Sequence, residues 1–231
     1  MRNINDFSPV TFDLNKIPLH KRMLSFFHPV WLSNQQSDLN PHLELILYRG
    51  RIQLATADAL YSDGEEYTPA IGVLNDIKEF LPQIKHTLIL GVGLGSTVQI
   101  MRKRGSSSAF TLVEIDKVIL KMALEYLAED TEVKIDAVCD DAQLFVANNT
   151  QLYDLVFVDI FNNRTVPDFV STVTFLSNCR KCLAPGGKLA FNYIINSDGE
   201  WRRTQRIFSE IFPKHHIISS DINRLFIGEM E

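Results

Sequence analysis

Apolar and polar residues follow two alternating patterns in the larger, C-terminal part of the chain. Runs such as HTLIL, FTLVEI and YDLVFV predict buried strands, and the segments between them, with apolar residues every three or four positions, predict helices. Strands that alternate with helices indicate a mostly parallel sheet with helices on both faces. The pattern therefore predicts a doubly wound α/β fold with a seven-stranded, Rossmann-like sheet.

The C-terminus predicts a different strand pairing. The segment HHIISSDINRLFIGEM contains two apolar-rich strands separated by a short polar turn. A parallel pair would need a crossover of about a dozen residues or more. We therefore expect the last strand to be antiparallel.

The N-terminal part is less regular. The first ~40 residues show no clear period and predict no element. The segment LELILYRGRIQLAT predicts two short strands around a turn at Gly50, and TPAIGVLNDIKEFL predicts a helix with Thr68 as N-cap. We expect an N-terminal segment with a small β-hairpin region, residues 1–66, followed by a Rossmann-like nucleoside-binding domain, residues 67–231.

Composition and charge narrow the function classes. Hydrophobic residues make up 45% of the sequence and charged residues 22%, as in soluble globular proteins. The net charge of -5 argues against a nucleic-acid-binding surface, which needs clustered Lys and Arg. No apolar run approaches the ~18 residues of a membrane span, and MRNINDFSPVTFDLNK lacks the apolar centre of a signal peptide. We expect a cytoplasmic protein without nucleic-acid or membrane partners.

The cysteines do not predict a metal site. Cys179 and Cys182 form a CxxC spacing, but no second pair of Cys or His ligands accompanies them. Cys179 shares a helical face with Leu176 and Leu183, which favours a place in the core. We expect no metal.

The first strand of the predicted parallel sheet runs into GVGLGS, with glycines at positions 91, 93 and 95. In such sheets, ligands bind beyond the carboxyl ends of the strands. GxGxG alone also fits a tight turn. The dinucleotide fingerprint GxGxxG would require glycine at Ser96, so an NAD-dependent dehydrogenase is disfavoured.

Acidic residues follow the next three strands: Glu114, then Asp140 and Asp141, then Asp159. Glu114 lies 19 residues after Gly95, where a carboxylate binds ribose hydroxyls in nucleotide-binding folds. Strand four lies beside strand one in this topology, so Asp159 could orient or deprotonate an attacking amine. The alternatives are a surface acid at Glu114 and a loop cap at Asp159.

The series GVGLGS, VEIDKVI, DDA and YDLVFVD resembles the class I S-adenosylmethionine-dependent methyltransferase fold and, more narrowly, the spermidine synthase family. The resemblance covers roughly residues 43–195. It implies a transferase that uses S-adenosylmethionine or its decarboxylated form and needs no metal. It also implies a small-molecule acceptor, and it leaves a homodimer open.

The resemblance also implies roles for individual residues, on the cofactor side and at the reacting centre. The cofactor-contacting residues would be Gln53, Gly91, Gly93 and Gly95 beside the methionine-derived tail, Glu114 on the ribose, and Asp140, Asp141 and Ala142 near the adenine. The catalytic residue would be Asp159.

The acceptor side departs from the family pattern. Leu94 and Asn162 stand where the family carries acids, and Tyr67 is what remains of its acceptor segment. These three residues are the predicted substrate contacts. Because a diamine needs negative partners, and Leu94 would make the pocket mouth apolar, we expect putrescine to be a poor acceptor. The alternative is that acids on loops elsewhere, such as Glu65, Glu66 or Asp198, replace the missing pair.

Three functions therefore remain open. The main prediction is a spermidine-synthase-like transferase of methyl or other alkyl groups with an unknown acceptor. The alternatives are a genuine polyamine aminopropyltransferase and a non-catalytic nucleoside-binding homologue.

Overall fold

The structure, a computed structural model, describes residues 14–128, 133–220 and 222–231. The prediction that the chain lacks a signal peptide rests on residues 1–16, most of which lie outside the described residues. The described chain forms a four-stranded sheet near the N-terminus and a seven-stranded sheet with helices on both faces.

The strands and helices are numbered in chain order. The four-stranded sheet contains β1 (Val30–Gln35), β2 (Leu43–Tyr48), β3 (Arg51–Ala55) and β4 (Leu60–Ser62). The seven-stranded sheet contains β5 (His86–Leu90), β6 (Ala109–Glu114), β7 (Ile135–Cys139), β8 (Tyr153–Val158), β9 (Leu183–Ile194), β10 (His215–Ser220) and β11 (Asn223–Glu229). The α-helices are α1 (Leu19–Leu24), α2 (Thr68–Asp76), α3 (Ser96–Lys103), α4 (Lys117–Leu127), α5 (Ala142–Asn148), α6 (Val173–Lys181) and α7 (Asp198–Ile211). Short 3-10 turns lie at Leu14–Lys16, Gly64–Glu66, Leu81–Gln83 and Asp168–Ser171.

The seven-stranded sheet confirms the predicted fold class. Its strand order is β10-β11-β9-β8-β5-β6-β7, with β5 to β9 parallel and β11 antiparallel to both of its neighbours. The chain moves from β5 outward to β7 and then returns to β8, on the other side of β5. The carboxyl ends of β5 and β8 are therefore the topological switch point, where such sheets bind ligands.

The four-stranded sheet is larger than predicted. The β2–β3 hairpin matches the predicted strands, and its turn has φ of 50° at Arg49 and 76° at Gly50. The pattern did not predict β1, which mixes apolar and amide side chains, or β4, which is only three residues long. The mixed side chains of β1 and the three residues of β4 show too little periodicity to be recognised as strands.

The N-terminal caps of two helices, α2 and α4, are defined by the structure, and the cap of α2 differs from the predicted one. Thr68, the predicted N-cap of α2, is instead the first helical residue, and Tyr67 occupies the cap position without a side-chain hydrogen bond. At α4, Asp116 is the cap, and its Oδ1 accepts from the backbone N–H of Val118 at 2.9 Å. The other oxygen, Oδ2, accepts from Asn40 Nδ2 at 2.6 Å, which attaches the β1–β2 connection to α4.

A hydrophobic core joins the N-terminal sheet to α4 and to the loop after β5. Leu94, between two glycines of the loop after β5, is 0% exposed and packs in this core rather than at a ligand site. The prediction that it is a substrate contact is therefore wrong, because the loop directs this side chain towards the N-terminal sheet. The buried members of the core are Ile17, Leu43, Leu45, Leu47, Ile52, Leu54, Leu94, Ile119 and Met122.

Cys179 and Cys182 are buried in the main core as free thiols, and burial raises the pKa of both. Among the described residues, no group of three or more His, Cys, Asp or Glu side chains could hold a metal ion. No helix in the described ranges is long and apolar enough to cross a membrane.

We predict that Leu94→Ala lowers the free energy of unfolding by about 2–5 kcal/mol, because it opens a cavity in the core between the N-terminal sheet and α4. Urea unfolding measures this loss. The affinity for methylthioadenosine should change little, since Leu94 lies outside the ligand cavity. A variant with normal stability but altered ligand affinity would contradict the assignment to the core.

Candidate active site

A cavity of about 620 Å³ lies at the switch point of the seven-stranded sheet. Gly91, Glu114, Asp140, Asp159 and Ile194, each at or just beyond the carboxyl end of a parallel strand, line it on one side. The N-terminal region and the connection between β8 and α6 line the other side, through residues 39–40, 58–61, 63 and 160–164.

The glycine loop after β5 is held by close contacts with the protein itself. At Gly91 φ is 84°, and a Cβ there would lie 2.2 Å from the carbonyl oxygen of Asp159. At Gly93 φ is 55°, and a Cβ would lie 2.6 Å from the carbonyl oxygen of Tyr61 on β4. Both glycines line the cavity. Gly95 packs against Leu127 and is not among the lining residues, so the structure does not bring it to the predicted cofactor tail.

Glu114 connects this loop to the start of α4. Its Oε2 accepts from the backbone N–H of Val92 at 3.0 Å, and its Oε1 accepts from that of Asp116 at 3.0 Å. The side chain lines the cavity although only 9% of the residue is exposed, and burial raises the carboxyl pKa. Each carboxylate oxygen retains a lone pair for a further donor, as the predicted ribose contact requires.

The DDA motif lies at the start of α5. Asp140 Oδ1 accepts from the backbone N–H of Asp141 at 2.8 Å, and Asp141 Oδ1 accepts from that of Gln143 at 2.6 Å. These bonds fix the turn from β7 into α5. Asp140, Asp141 and Ala142 all line the cavity, and their contact with an adenine stays a prediction.

Asp159 follows β8 and faces the cavity. Its Oδ1 accepts from Tyr67 Oη at 3.2 Å and from Asn192 Nδ2 at 2.8 Å. Burial raises the pKa of Asp159 from its ordinary value of 3.8 to about 6, although both hydrogen bonds oppose the rise. The pKa of Tyr67 is well above its usual range because the phenol is buried beside this carboxylate. Tyr67 therefore stays neutral and donates, and Asp159 is ionised near neutral pH.

Three further acids also line the cavity, and Glu66 is one of the loop acids that the sequence left open as a replacement for the missing pair. Asp58 lies between β3 and β4, and Asp63 and Glu66 lie between β4 and α2. Gln53, the predicted cofactor contact, is not among the lining residues. It donates from Nε2 to Asp63 Oδ1 at 2.6 Å and so positions that carboxylate. The only sequence signal was the acidic turn SDGEE, which predicts a turn rather than a site.

The loop that follows Asp159 is tied to the N-terminal region. Tyr61 Oη accepts from the backbone N–H of Asn163 at 2.8 Å and donates to Asn40 Oδ1 at 3.4 Å. Asn162, a predicted substrate contact, lines the cavity and forms a short bridge with Thr165. The cavity is therefore closed by contacts that are distant in sequence.

The charge of the cavity is strongly negative. Among the described lining residues the single Lys or Arg is Arg164. The lining carboxylates are Asp58, Asp63, Glu66, Glu114, Asp140, Asp141 and Asp159. Such a surface favours a cationic ligand.

Comparison with known proteins shows the family to which the chain belongs. The family model of the spermine/spermidine synthase domain matches residues 73–195, more than half of the chain. The chain belongs to the spermine/spermidine synthase family.

Relatives and solved structures agree with this membership. A polyamine aminopropyltransferase of Klebsiella pneumoniae is 30% identical over 108 residues, 45% of this chain and 38% of the relative. One of Alkaliphilus oremlandii is 27% identical over 140 residues, 57% of this chain and 49% of the relative. The chain thus spans less than half the length of these relatives.

Solved spermidine synthases share the fold. One in complex with the transition state analogue AdoDATO has a TM-score of 0.71 at 17% identity, over 87% of this chain and 74% of that chain. One from Thermotoga maritima has a TM-score of 0.70 at 16% identity, over 87% and 73% of the two chains.

The spermine/spermidine synthase match includes the part of the site formed by the parallel sheet, from the glycine loop to Asn192. Asp58, Asp63, Glu66 and Asn223 lie outside the matched residues. The family match therefore does not extend to the N-terminal side of the cavity.

We predict that Asp159→Asn stabilises the ligand-free protein at neutral pH. The carboxyl pKa is higher in the folded protein than in the unfolded chain, so the wild-type protein loses stability as the pH rises from 3.8 through about 6. The amide cannot ionise and keeps an oxygen for Tyr67 and Asn192. The variant should be more stable by up to about 3 kcal/mol at about pH 8, with the difference vanishing near about pH 4. Urea unfolding at both pH values measures this, and a less stable variant at the higher pH would count against a buried carboxylate.

We predict that Glu114→Ala weakens the binding of methylthioadenosine at least about tenfold and also lowers stability, because two buried N–H groups lose their acceptor. Calorimetry and urea unfolding measure the two effects. Asp154→Ala is the matched control, since Asp154 Oδ2 also accepts from two backbone N–H groups, those of Lys85 and His86, at the opposite end of β5. The control should keep full ligand affinity. Equal affinity in both variants would refute the ribose assignment.

Proposed function

We propose that the protein is a polyamine aminopropyltransferase, which transfers the aminopropyl group of decarboxylated S-adenosylmethionine to an amine acceptor. The observation that carries the proposal is the cavity at the switch point, where seven carboxylates face one arginine and one of the carboxylates is Asp159. Family membership and the names of the relatives support it. A broader function, a transferase that uses an adenosyl sulfonium as donor, depends only on the residues of the cofactor side.

The residues on the cofactor side fit an adenosyl group. Glu114 offers two oxygens to the ribose hydroxyls, and the turn at Asp140, Asp141 and Ala142 offers polar groups beside the place of the adenine. Gly91 and Gly93 line the cavity, so their backbone is placed beside the sulfonium substituents. When bound, the sulfonium supplies an activated carbon and a neutral thioether leaving group.

Asp159 is placed to act as the base. The acceptor reacts as a free amine, whose nitrogen forms a bond to the methylene carbon as the carbon–sulfur bond breaks. The amine proton passes to the Asp159 carboxylate, and methylthioadenosine leaves uncharged. A carboxyl pKa of about 6 suits this role, because the group is ionised at neutral pH and still basic enough to accept a proton.

The charge of the cavity favours the decarboxylated donor over S-adenosylmethionine. The decarboxylated form carries a sulfonium and an ammonium group and no anion. S-adenosylmethionine adds a carboxylate, which seven acids in a confined cavity repel. The proposal therefore narrows our main prediction from the sequence, a transfer of methyl or other alkyl groups, to the alternative of aminopropyl transfer.

The same acids change the expectation for the acceptor. We expected putrescine to be poor because Leu94 and Asn162 replace two acids of the family. Leu94 lies outside the cavity, and Asp58 and Glu66 supply negative charge from the N-terminal side, whereas Arg51, whose Nε lies 3.4 Å from Asp63 Oδ1, offsets part of the charge of Asp63. We therefore propose a diamine or longer polyamine as the acceptor. A homodimer, a cytoplasmic location and the absence of a nucleic-acid partner stay predictions.

The test is a steady-state assay with decarboxylated S-adenosylmethionine and putrescine. We expect methylthioadenosine and spermidine to form with kcat/KM of about 10⁴ M⁻¹s⁻¹ or more. Asp159→Asn should lower kcat at least about 10²-fold with little change in donor affinity. Asp154→Ala, which removes an acid away from the cavity, should keep normal turnover.

Two results would overturn the proposal. Formation of S-adenosylhomocysteine from S-adenosylmethionine, without aminopropyl transfer, would indicate a methyltransferase. Tight binding of methylthioadenosine without turnover on any diamine or polyamine would indicate a non-catalytic homologue.

A further inference from the structure

A chain of two buried amides leads from the last strand of the sheet to Asp159. Asn223, at the start of β11, donates from Nδ2 to Asn192 Oδ1 at 2.7 Å. Asn192, on β9, donates from its own Nδ2 to Asp159 Oδ1 at 2.8 Å. We propose that Asn223 is a positioning residue that acts through Asn192 to orient the Asp159 carboxylate; this rests on the proposed function only for the role of Asp159 as the base.

The direction of each hydrogen bond follows from the partners. An ionised carboxylate only accepts, so Asn192 must turn its NH₂ group towards Asp159 and its oxygen away. Asn223 supplies a donor to that oxygen and so stabilises this orientation of the Asn192 amide. Without Asn223, nothing else recorded in the described residues donates to Asn192 Oδ1.

The surroundings of the two amides are apolar. On β9 and β11 the same face continues with Ala190, Leu225 and Ile227, all in the buried core. Asn192 is 1% exposed and Asn223 is 9% exposed. Two amides at the cavity end of an apolar face need a polar partner, and Asp159 is that partner.

The consequence is that the two Asp159 oxygens differ. Oδ1 accepts from Asn192 and Tyr67, whereas no donor to Oδ2 is recorded within the described residues. Oδ2 is therefore the oxygen left to accept a proton from the acceptor amine. Its orientation depends on Asn192, and through it on Asn223.

Other ionisable groups face Asp159 and must be considered in any titration. Tyr67 is in direct contact and stays neutral. The remaining charged groups that share the cavity are Asp58, Asp63, Glu66, Glu114, Asp140, Asp141 and Arg164. The variants below alter none of them.

The experiment follows the Asp159 carboxyl directly, without substrate. Aspartate γ-carboxyl groups are labelled with ¹³C and titrated by NMR, and the Asp159 signal is identified by its loss in Asp159→Asn. In wild type it should titrate at about 6. Asn192→Leu removes a hydrogen bond to the charged form and should raise this pKa by about one unit or more.

The Asn223 variants separate positioning from simple packing. Asn223→Ala adds no charge and should still raise the pKa of Asp159, by about half a unit, because the Asn192 oxygen then loses its donor and the amide is held less firmly towards Asp159. Asn223→Asp should raise it at least as much as Asn192→Leu, because the new carboxylate accepts from Asn192 and turns the amide oxygen towards Asp159. Asn148→Asp, exposed on α5, is the charge control and should leave the titration unchanged.

The proposal is overturned if both Asn223 variants titrate like wild type while Asn192→Leu shifts. If Asn223→Asp does not fold, Asn223→Ala alone decides. In the pH profile of kcat/KM, the acidic limb of the Asn223 variants should move to higher pH in parallel with the NMR titration. A change in acceptor KM alone, with an unmoved limb, would instead make Asn223 a direct substrate contact. If the wild-type protein shows no turnover, the proposed function fails and the NMR titration still tests the amide chain.

Discussion

The contact between the glycine loop and the end of β8 is the constraint on which the site depends. A Cβ at Gly91 would lie 2.2 Å from the carbonyl oxygen of Asp159, so glycine is the residue that permits β5 and β8 to remain paired to their carboxyl ends. The backbone N–H of Asp159 donates to the carbonyl of Leu90 at 2.8 Å and continues this pairing. Because the glycine loop and Asp159 share this contact, it fixes the distance between the loop and the Asp159 backbone.

A second contact of the same loop brings in the N-terminal sheet. Gly93 approaches the carbonyl of Tyr61, and Leu94 packs in the core between the N-terminal sheet and α4. The N-terminal region then adds Asp58, Asp63 and Glu66 to a cavity that already contains four acids from the parallel sheet. The glycines thus do more than leave space for a ligand, since they also let the protein approach itself closely enough to close the cavity.

This concentration of carboxylates opposes the stability of the empty protein. Burial makes ionisation of Asp159 and Glu114 unfavourable, and both pKa values rise for that reason. A cationic ligand reverses the balance, because it favours the ionised forms that the empty cavity disfavours. The amide of Asn192 and the phenol of Tyr67 offset part of the cost at Asp159 by donating to one of its oxygens, and Asn223 donates in turn to the Asn192 oxygen. The site is therefore organised for bound positive charge.

The sequence by itself determined the seven-stranded sheet, its antiparallel last strand, the β2–β3 hairpin and the acids that follow β6, β7 and β8. These features depend on local patterns: apolar runs, alternation with helices, and polar residues immediately after strands. Only the tertiary structure decided that Leu94 points into a core, that Gln53 lies behind Asp63, and that Asp58, Asp63 and Glu66 reach the cavity. The same holds for Asn192 and Asn223, which lie 31 residues apart and meet only because β11 pairs with β9. Periodicity reports which face a residue occupies within its own element, whereas contacts between distant segments depend on how the sheets pack.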